Sequence, residues 1–190
     1  NAGIATGLSL MAIRSIVKMG TPSLFEKSAP WPASKFDSPE LRALLDDMKD
    51  SMKAATGAGL AAPQIGENVR VAIFEVVNNP RYPNREPIPF TVLINPELTP
   101  VSGEKVDDWE GCLSVPGMRG LVPRYPTLRY TGFDEFGNAI DRTVDGFHAR
   151  VVQHEVDHLD GVLYPMRMTD MSKFGFTEIL FPELVGVDED

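Results

Sequence analysis

The chain has 190 residues, 43% of them hydrophobic and 24% charged, with a formal net charge of −9. That length suits one domain with a sizeable core, and the acidic balance excludes a grip on nucleic-acid phosphates, which needs a basic surface. No apolar run reaches membrane-spanning length, and a single cysteine, Cys112, excludes an internal disulfide and fits a reducing compartment.

Residues 1–10 lack a basic n-region and do not read as a secretory signal. Met11 reads as the natural start. Residues 1–10 are therefore expected to be an expression remnant or a disordered leader, with a trimmed organellar transit peptide as the alternative. Residues 11–190 are expected to form one domain with a frayed acidic end at Val187-Asp188-Glu189-Asp190.

Thr21-Pro22 signals a turn, and 26–37 reads as loop around Trp31. Ser38-Pro39-Glu40 opens a helix, with a capping serine, proline at the first helical position and an acid in the first turn. Leu41, Leu44, Leu45, Met48, Met52 and Ala55 follow at helical spacing, and Gly57 is expected to end it. The methionines on that face read as core. Gly57 to Gly66 carries no charge, reads as a helix-to-strand turn, and presents one amide side chain, Gln64. It lacks the Gly-Lys-Ser/Thr ending of a phosphate cradle.

Val69 to Val77 reads as a strand, Asn78 to Pro89 as a proline-rich surface loop, and Phe90 to Ile94 as a second strand ended by Asn95-Pro96. Residues 97–108 are expected to cross the sheet. Trp109 to Gly117 is a compact, turn-rich element. Leu128 to Phe133 and Ala139 to Val144 form a hairpin around Asp134 to Asn138, with Gly137 in the turn. Strands in series with two helices predict an α+β fold: antiparallel sheets packed around a central helix, with an additional helix in the N-terminal half.

The central helix is the stretch Gln153-His154-Glu155-Val156-Asp157-His158-Leu159-Asp160-Gly161, started near Asp145-Gly146 and stopped at Asp160-Gly161. Its apolar residues cover much of the cylinder, while Arg150, Gln153 and Asp157 gather on one side. In a helix, His154 and His158 leave the same face one turn apart and can grip one metal ion, with Glu155 placed to work on water. A catalytic site of this kind needs a third protein ligand and an open fourth position. Glu178 is one candidate and Cys112, in a glycine-bounded turn, is the better one. On spacing alone, a buried apolar cysteine and core histidines remain open.

Three segments together resemble the peptide deformylase family, in that family's order: Gly57-Ala58-Gly59-Leu60-Ala61-Ala62-Pro63-Gln64, Glu110-Gly111-Cys112-Leu113-Ser114, and Gln153-His154-Glu155-Val156-Asp157-His158. The match runs from about Met11 to about Arg167. The resemblance implies that 11–190 is a single catalytic domain that removes the formyl group from N-formylmethionyl nascent peptides and releases formate. It implies Cys112, His154 and His158 as metal ligands, Glu155 as general acid/base, and the Gln64 side chain and Leu113 N–H as oxyanion donors. It further implies that Ala58, Gly59 and Gly111 pair with the peptide backbone. The metal implied is ferrous iron, replaceable by nickel, cobalt or zinc. The implied setting is bacterial cytoplasm or an organelle, with transient ribosome association and neither nucleic-acid nor membrane binding.

The chain departs from the family in two places. Ala58 is smaller than the branched residue common there in bacterial enzymes. Gly146-Phe147-His148-Ala149-Arg150 is similar to the subgroup containing organellar enzymes and some bacterial second copies. Arg150 is expected to be a solvated or salt-bridged helix residue and His148 a packing residue; Arg119 is expected to pair with an acid such as Glu110, with steadying the substrate side of the cleft as the alternative. Two rival readings remain: a zinc endopeptidase built on HExxH with a third ligand other than Cys112, and a peptide-binding module with a closed structural metal.

Overall fold

The computed structural model describes residues 13–186, so the expectations for residues 1–10 and for the acidic end lie outside the described residues. Helix α1 spans Pro39–Ala54, and the Ser38 hydroxyl accepts from the Leu41 N–H at its start. The helix stops before Gly57. Thr56 adopts the left-handed conformation (φ 54°), and the Gly57 N–H returns to the Met52 carbonyl.

The strands are β1 (Gly59–Ala61), β2 (Val71–Val76), β3 (Ile88–Pro100), β4 (Val106–Cys112), β5 (Val115–Arg124), β6 (Thr127–Phe133), β7 (Ala139–Asp145) and β8 (Phe174–Phe176). Helix α2, Gly146–Leu159, carries the two histidines, and a short α3, Thr177–Leu180, follows β8. β1-β2-β3-β6-β7 form one antiparallel sheet and β4-β5-β8 a second. The fold is α+β, as expected.

Period-2 alternation explains why β2 and β3 are apolar along both faces. Val71, Ile73, Val92 and Ile94 pack with Leu41, Leu45, Met48 and Met52 of α1. Phe74, Val76 and Leu93 point to the other face and pack with Val151, Val152 and Val156 of α2. Fully burying each such side chain is worth about 1.5–3 kcal/mol. The remaining side of α2, with Arg150, Gln153 and Asp157, turns toward β4 and β5 and is buried too.

Three expectations are corrected. Asn95-Pro96 does not end the second strand: β3 runs through to Pro100 with a bulge between Ile94 and Glu97. A proline without an N–H is tolerated at such a break in the ladder. Asn95 adopts φ 50°, and its side-chain amide holds both backbone groups of Trp31. Residues 97–108 therefore do not cross the sheet; 97–100 continue β3 beside β6. Trp109 to Gly117 is two strands, not a turn-rich element, because Cys112 pairs with Val115 around a two-residue turn.

Candidate metal centre

Cys112 ends β4 at the tight turn into β5 and is 3% exposed. His154 and His158 leave α2 one turn apart, with ring centroids 5.0 Å from each other. One ligand atom from each of the three residues lies within 4.8 Å of the other two. The Cys112 Sγ to His158 Nε2 separation is 3.4 Å. A tetrahedral ion with metal–sulfur and metal–nitrogen bonds of about 2.3 and 2.05 Å sets those atoms about 3.5 Å apart. The triad therefore fits a small divalent cation.

The surroundings prepare it for that load. His154 Nδ1 lies 3.1 Å from Glu110 Oε2, which turns Nε2 toward the sulfur side, the usual outer support of a ligating imidazole. Glu110 is in turn held by Arg124, Nε to Oε1 at 2.9 Å and Nη2 to Oε2 at 3.0 Å. Burial works against ionising Glu110, yet Arg124 and His154 bring its carboxyl far below the usual range. Burial would likewise raise the Cys112 thiol, but His158 and His154 hold it well below the ordinary range, toward the thiolate that a cation needs. Two buried polar atoms of this group, His158 Nδ1 and Glu155 Oε2, have no hydrogen-bond partner among the described residues.

Glu155 is 4% exposed, and burial pushes its carboxyl up to about 7 against the pull of the two imidazoles. It lies against Gly59: an alanine Cβ at that position would overlap its carboxylate. The sequence reading gave Gly59 to the approach of a peptide; the structure adds that its bareness makes room for Glu155. Gln64 sits in a 3-10 turn, Ala62–Ile65, directly after β1. The Ala61 N–H donates to Gln64 Oε1 at 2.9 Å, which leaves Nε2 facing Ser114 Oγ at 3.1 Å and Cys112 Sγ at 3.6 Å.

Gln64, Glu110, Cys112, His154 and Glu155 line one cleft. Ala58 and Gly59 form one side, and Gly111, Cys112 and Leu113 the other. Both β1 and β4 are edge strands of their sheets. Phe147, Arg150 and Val151 of α2 and Arg81 and Tyr82 of the 78–87 loop complete the walls. The Tyr82 hydroxyl donates to the Gly111 carbonyl at 3.3 Å. Arg119 Nη2 donates to the Arg81 carbonyl at 2.8 Å, and its guanidinium lies 4.9 Å from the Tyr82 ring centre. Arg150 is buried and salt-bridged to Glu110 rather than solvated. His148 packs against Phe74 and Tyr130, away from the triad. Glu178 stands at the start of α3 and is not among the clustered ligands.

The reading of the sequence missed what Glu110 does. It was named only as an example of an acid that Arg119 could pair with; it also supports His154. The signal was present: Glu110 and Cys112 stand at i and i+2 of a strand and share a face in an unbroken strand. Arg124 and the 78–87 loop carry no such mark.

The comparisons show the family and the fold. Residues 13–174 match the family model described as polypeptide deformylase. The chain is 61% identical to peptide deformylase 1 of Nitrosomonas europaea, covering 93% of this chain and 99% of that one. It is 60% identical to peptide deformylase 2 of Ralstonia nicotianae, covering 94% and 99%. Among solved structures, the class I type b peptide deformylase of Acinetobacter baumannii bound to Met-Ala-Ser superposes with a TM-score of 0.81 at 37% identity, covering 84% of this chain and 100% of that one. A peptide deformylase from Synechococcus elongatus in complex with actinonin gives 0.75 at 29% identity, covering 91% and 90%.

Proposed function

The chain belongs to the polypeptide deformylase family, and from that premise we propose how its residues divide the work. It is a metal-dependent hydrolase that removes the N-formyl group from the formylmethionine of nascent polypeptides and releases formate. Cys112, His154 and His158 hold the cation. The observation that carries this assignment is their convergence from two separate elements onto one cleft, beside a glutamate with an unpartnered oxygen. When bound, a divalent cation there supplies Lewis acidity and brings the ionisation of water toward neutral pH.

Glu155 accepts the proton of the attacking water and passes it to the departing amine. The Gln64 Nε2 and the Leu113 N–H donate to the oxyanion that develops on the formyl oxygen; one such donor is commonly worth roughly 3 kcal/mol of barrier. Ala58-Gly59 and Gly111, on facing strand edges, pair with the peptide main chain. Backbone pairing suits a substrate whose sequence varies beyond its first residue. Ferrous iron is the native metal, with nickel, cobalt or zinc as substitutes. Residues 11–190 act as one catalytic domain, which works in the bacterial cytoplasm or, as the alternative, in an organelle, in transient contact with the ribosome. No helix among the described residues is long and apolar enough to cross a membrane.

The test pairs two variants. Glu155→Ala keeps one metal per chain and loses formate release from a formyl-Met peptide. Cys112→Ala loses the metal. Full metal content in Cys112→Ala would move the third ligand elsewhere and return the chain to the endopeptidase reading.

A further inference from the structure

The proposed ligands sit on two bodies with separate apolar cores. His154 and His158 ride on α2, whose Ala149, Val151, Val152 and Val156 pack with Phe74, Leu93 and Tyr130 of the five-stranded sheet. Cys112 packs with Val115, Val122 and Tyr164, a cluster with no residue from α2. Apolar packing alone therefore leaves the spacing between sulfur and imidazoles loosely set. Beside the His154 ring, which stacks on Tyr164 with centroids 6.2 Å apart, what crosses the seam is polar, and it includes Arg124 of β5 donating to Asp157 of α2. From α2, one turn before His154, Arg150 Nη1 donates to the Val122 carbonyl at 2.7 Å and to Glu110 Oε1 at 3.2 Å, and Nη2 donates to the Val106 carbonyl at 2.7 Å. Val106 begins β4, Glu110 stands two residues before Cys112, and Val122 lies in β5.

We propose that Arg150 is a positioning residue for the metal centre: its fork latches the sheet carrying Cys112 to the helix carrying His154 and His158. It shares the Glu110 carboxylate with Arg124, and so helps fix the oxygen that meets His154 Nδ1. Stability alone gives no reason for evolution to place charges here, since replacing a whole buried ion pair by apolar residues of similar volume is often neutral or better; removing Arg150 alone does cost stability, so the test reads metal release and spectrum beside the melting temperature. The planar guanidinium reaches three acceptors on two strands at once, which a lysine ammonium on a flexible stem does not reproduce. The inference rests on the ligand assignment above.

The experiment uses the full chain loaded with cobalt or zinc and follows metal release into excess chelator, beside the cobalt absorption spectrum and the melting temperature of the metal-free protein. Arg150→Met keeps an apolar stem; it is expected to release metal about tenfold faster or more, the usual range for loss of an outer-shell support. Its cobalt spectrum shifts as the sulfur–imidazole geometry relaxes. Arg150→Lys falls between parent and Arg150→Met. A lower melting temperature with unchanged release rate and spectrum would mean a structural role only and overturns the proposal. Should Arg150→Met fail to fold, Arg150→Lys decides: release within twofold of the parent overturns it. A parent that binds no stoichiometric metal overturns the ligand assignment and the latch together, whereas a loaded parent with an indifferent Arg150 overturns the latch alone.

Discussion

Replacing Gly59 with alanine separates two roles for the same glycine. Its φ is not positive, so alanine fits the backbone of β1 and any effect is steric. The added Cβ would stand 2.6 Å from Glu155 Cδ and 2.9 Å from Cγ, where ordinary contact begins at 3.4 Å. Glu155 must therefore withdraw by close to an ångström. A displacement of that size at a reacting group costs about 100-fold in rate, or about 2.7 kcal/mol of barrier. The fold should lose little, about 1 kcal/mol, at the low end for an overpacked site. Glu155 Oε2 has no partner to give up among the described residues, so the carboxylate is free to yield. The assay is kcat and KM from formate release on a formylated methionyl tripeptide, with metal content and melting temperature as controls. The expected result is a kcat about 100-fold lower with metal retained. A raised KM at unchanged kcat would refute the reasoning and leave Gly59 to peptide pairing alone.

Gln64→Ala should lower kcat by about 10²–10³ and cost about 1–3 kcal/mol of stability, because the buried Ala61 N–H loses its acceptor; saturating kinetics beside a denaturant melt reads both, and an unchanged kcat removes Gln64 as a donor. His148→Gln should flatten part of the stability profile on acidification. Burial, helped by Arg142, depresses the His148 imidazole below its usual value, so the unfolded chain binds the extra proton more readily. Its contribution is full above about pH 6.5 and is lost as pH falls through the folded value; identical pH dependence of the urea midpoints in parent and variant would refute it. An iron-loaded enzyme should lose activity in air while a nickel-loaded one persists, and equal decay of the two would exclude oxidation at the metal as the weak point.

Local chemistry made α1 and α2 readable. Ser38-Pro39-Glu40 and the leucine and methionine spacing define one helix, and the His154–His158 interval is informative only if the other exists. The hairpin at Asp134 to Asn138 was readable for the same reason, since its turn residues lie inside it. What the chain order hid was long-range. Asn95-Pro96 looks like a stop, but the Trp31 backbone, 64 residues away, takes up the Asn95 amide and lets β3 continue. Gly57 was expected to end α1; the left-handed residue there is Thr56, and the Gly57 N–H closes back onto Met52. The triad itself was named from three short motifs, whereas Glu110, Arg124 and Tyr82 earn their places only once β4, β5 and the 78–87 loop meet.

The cleft lies at a seam for a physical reason. Each sheet ends at this groove in a strand hydrogen-bonded on one side, β1 in one sheet and β4 in the other. Strand edges without a partner invite pairing, and here one edge abuts Glu155 at Gly59 while the other ends in Cys112. On the proposed reading, an extended peptide laid between them would complete both ladders with its main chain. The side chains of that peptide are then left to the walls, where Phe147 and Val151 offer apolar surface. With Cys112 at the end of one edge and Glu155 behind the other, such pairing would also deliver the peptide's first residue to the proposed reactive groups. Binding and alignment would then be one event, beside a Gly111 carbonyl that accepts from the Tyr82 hydroxyl.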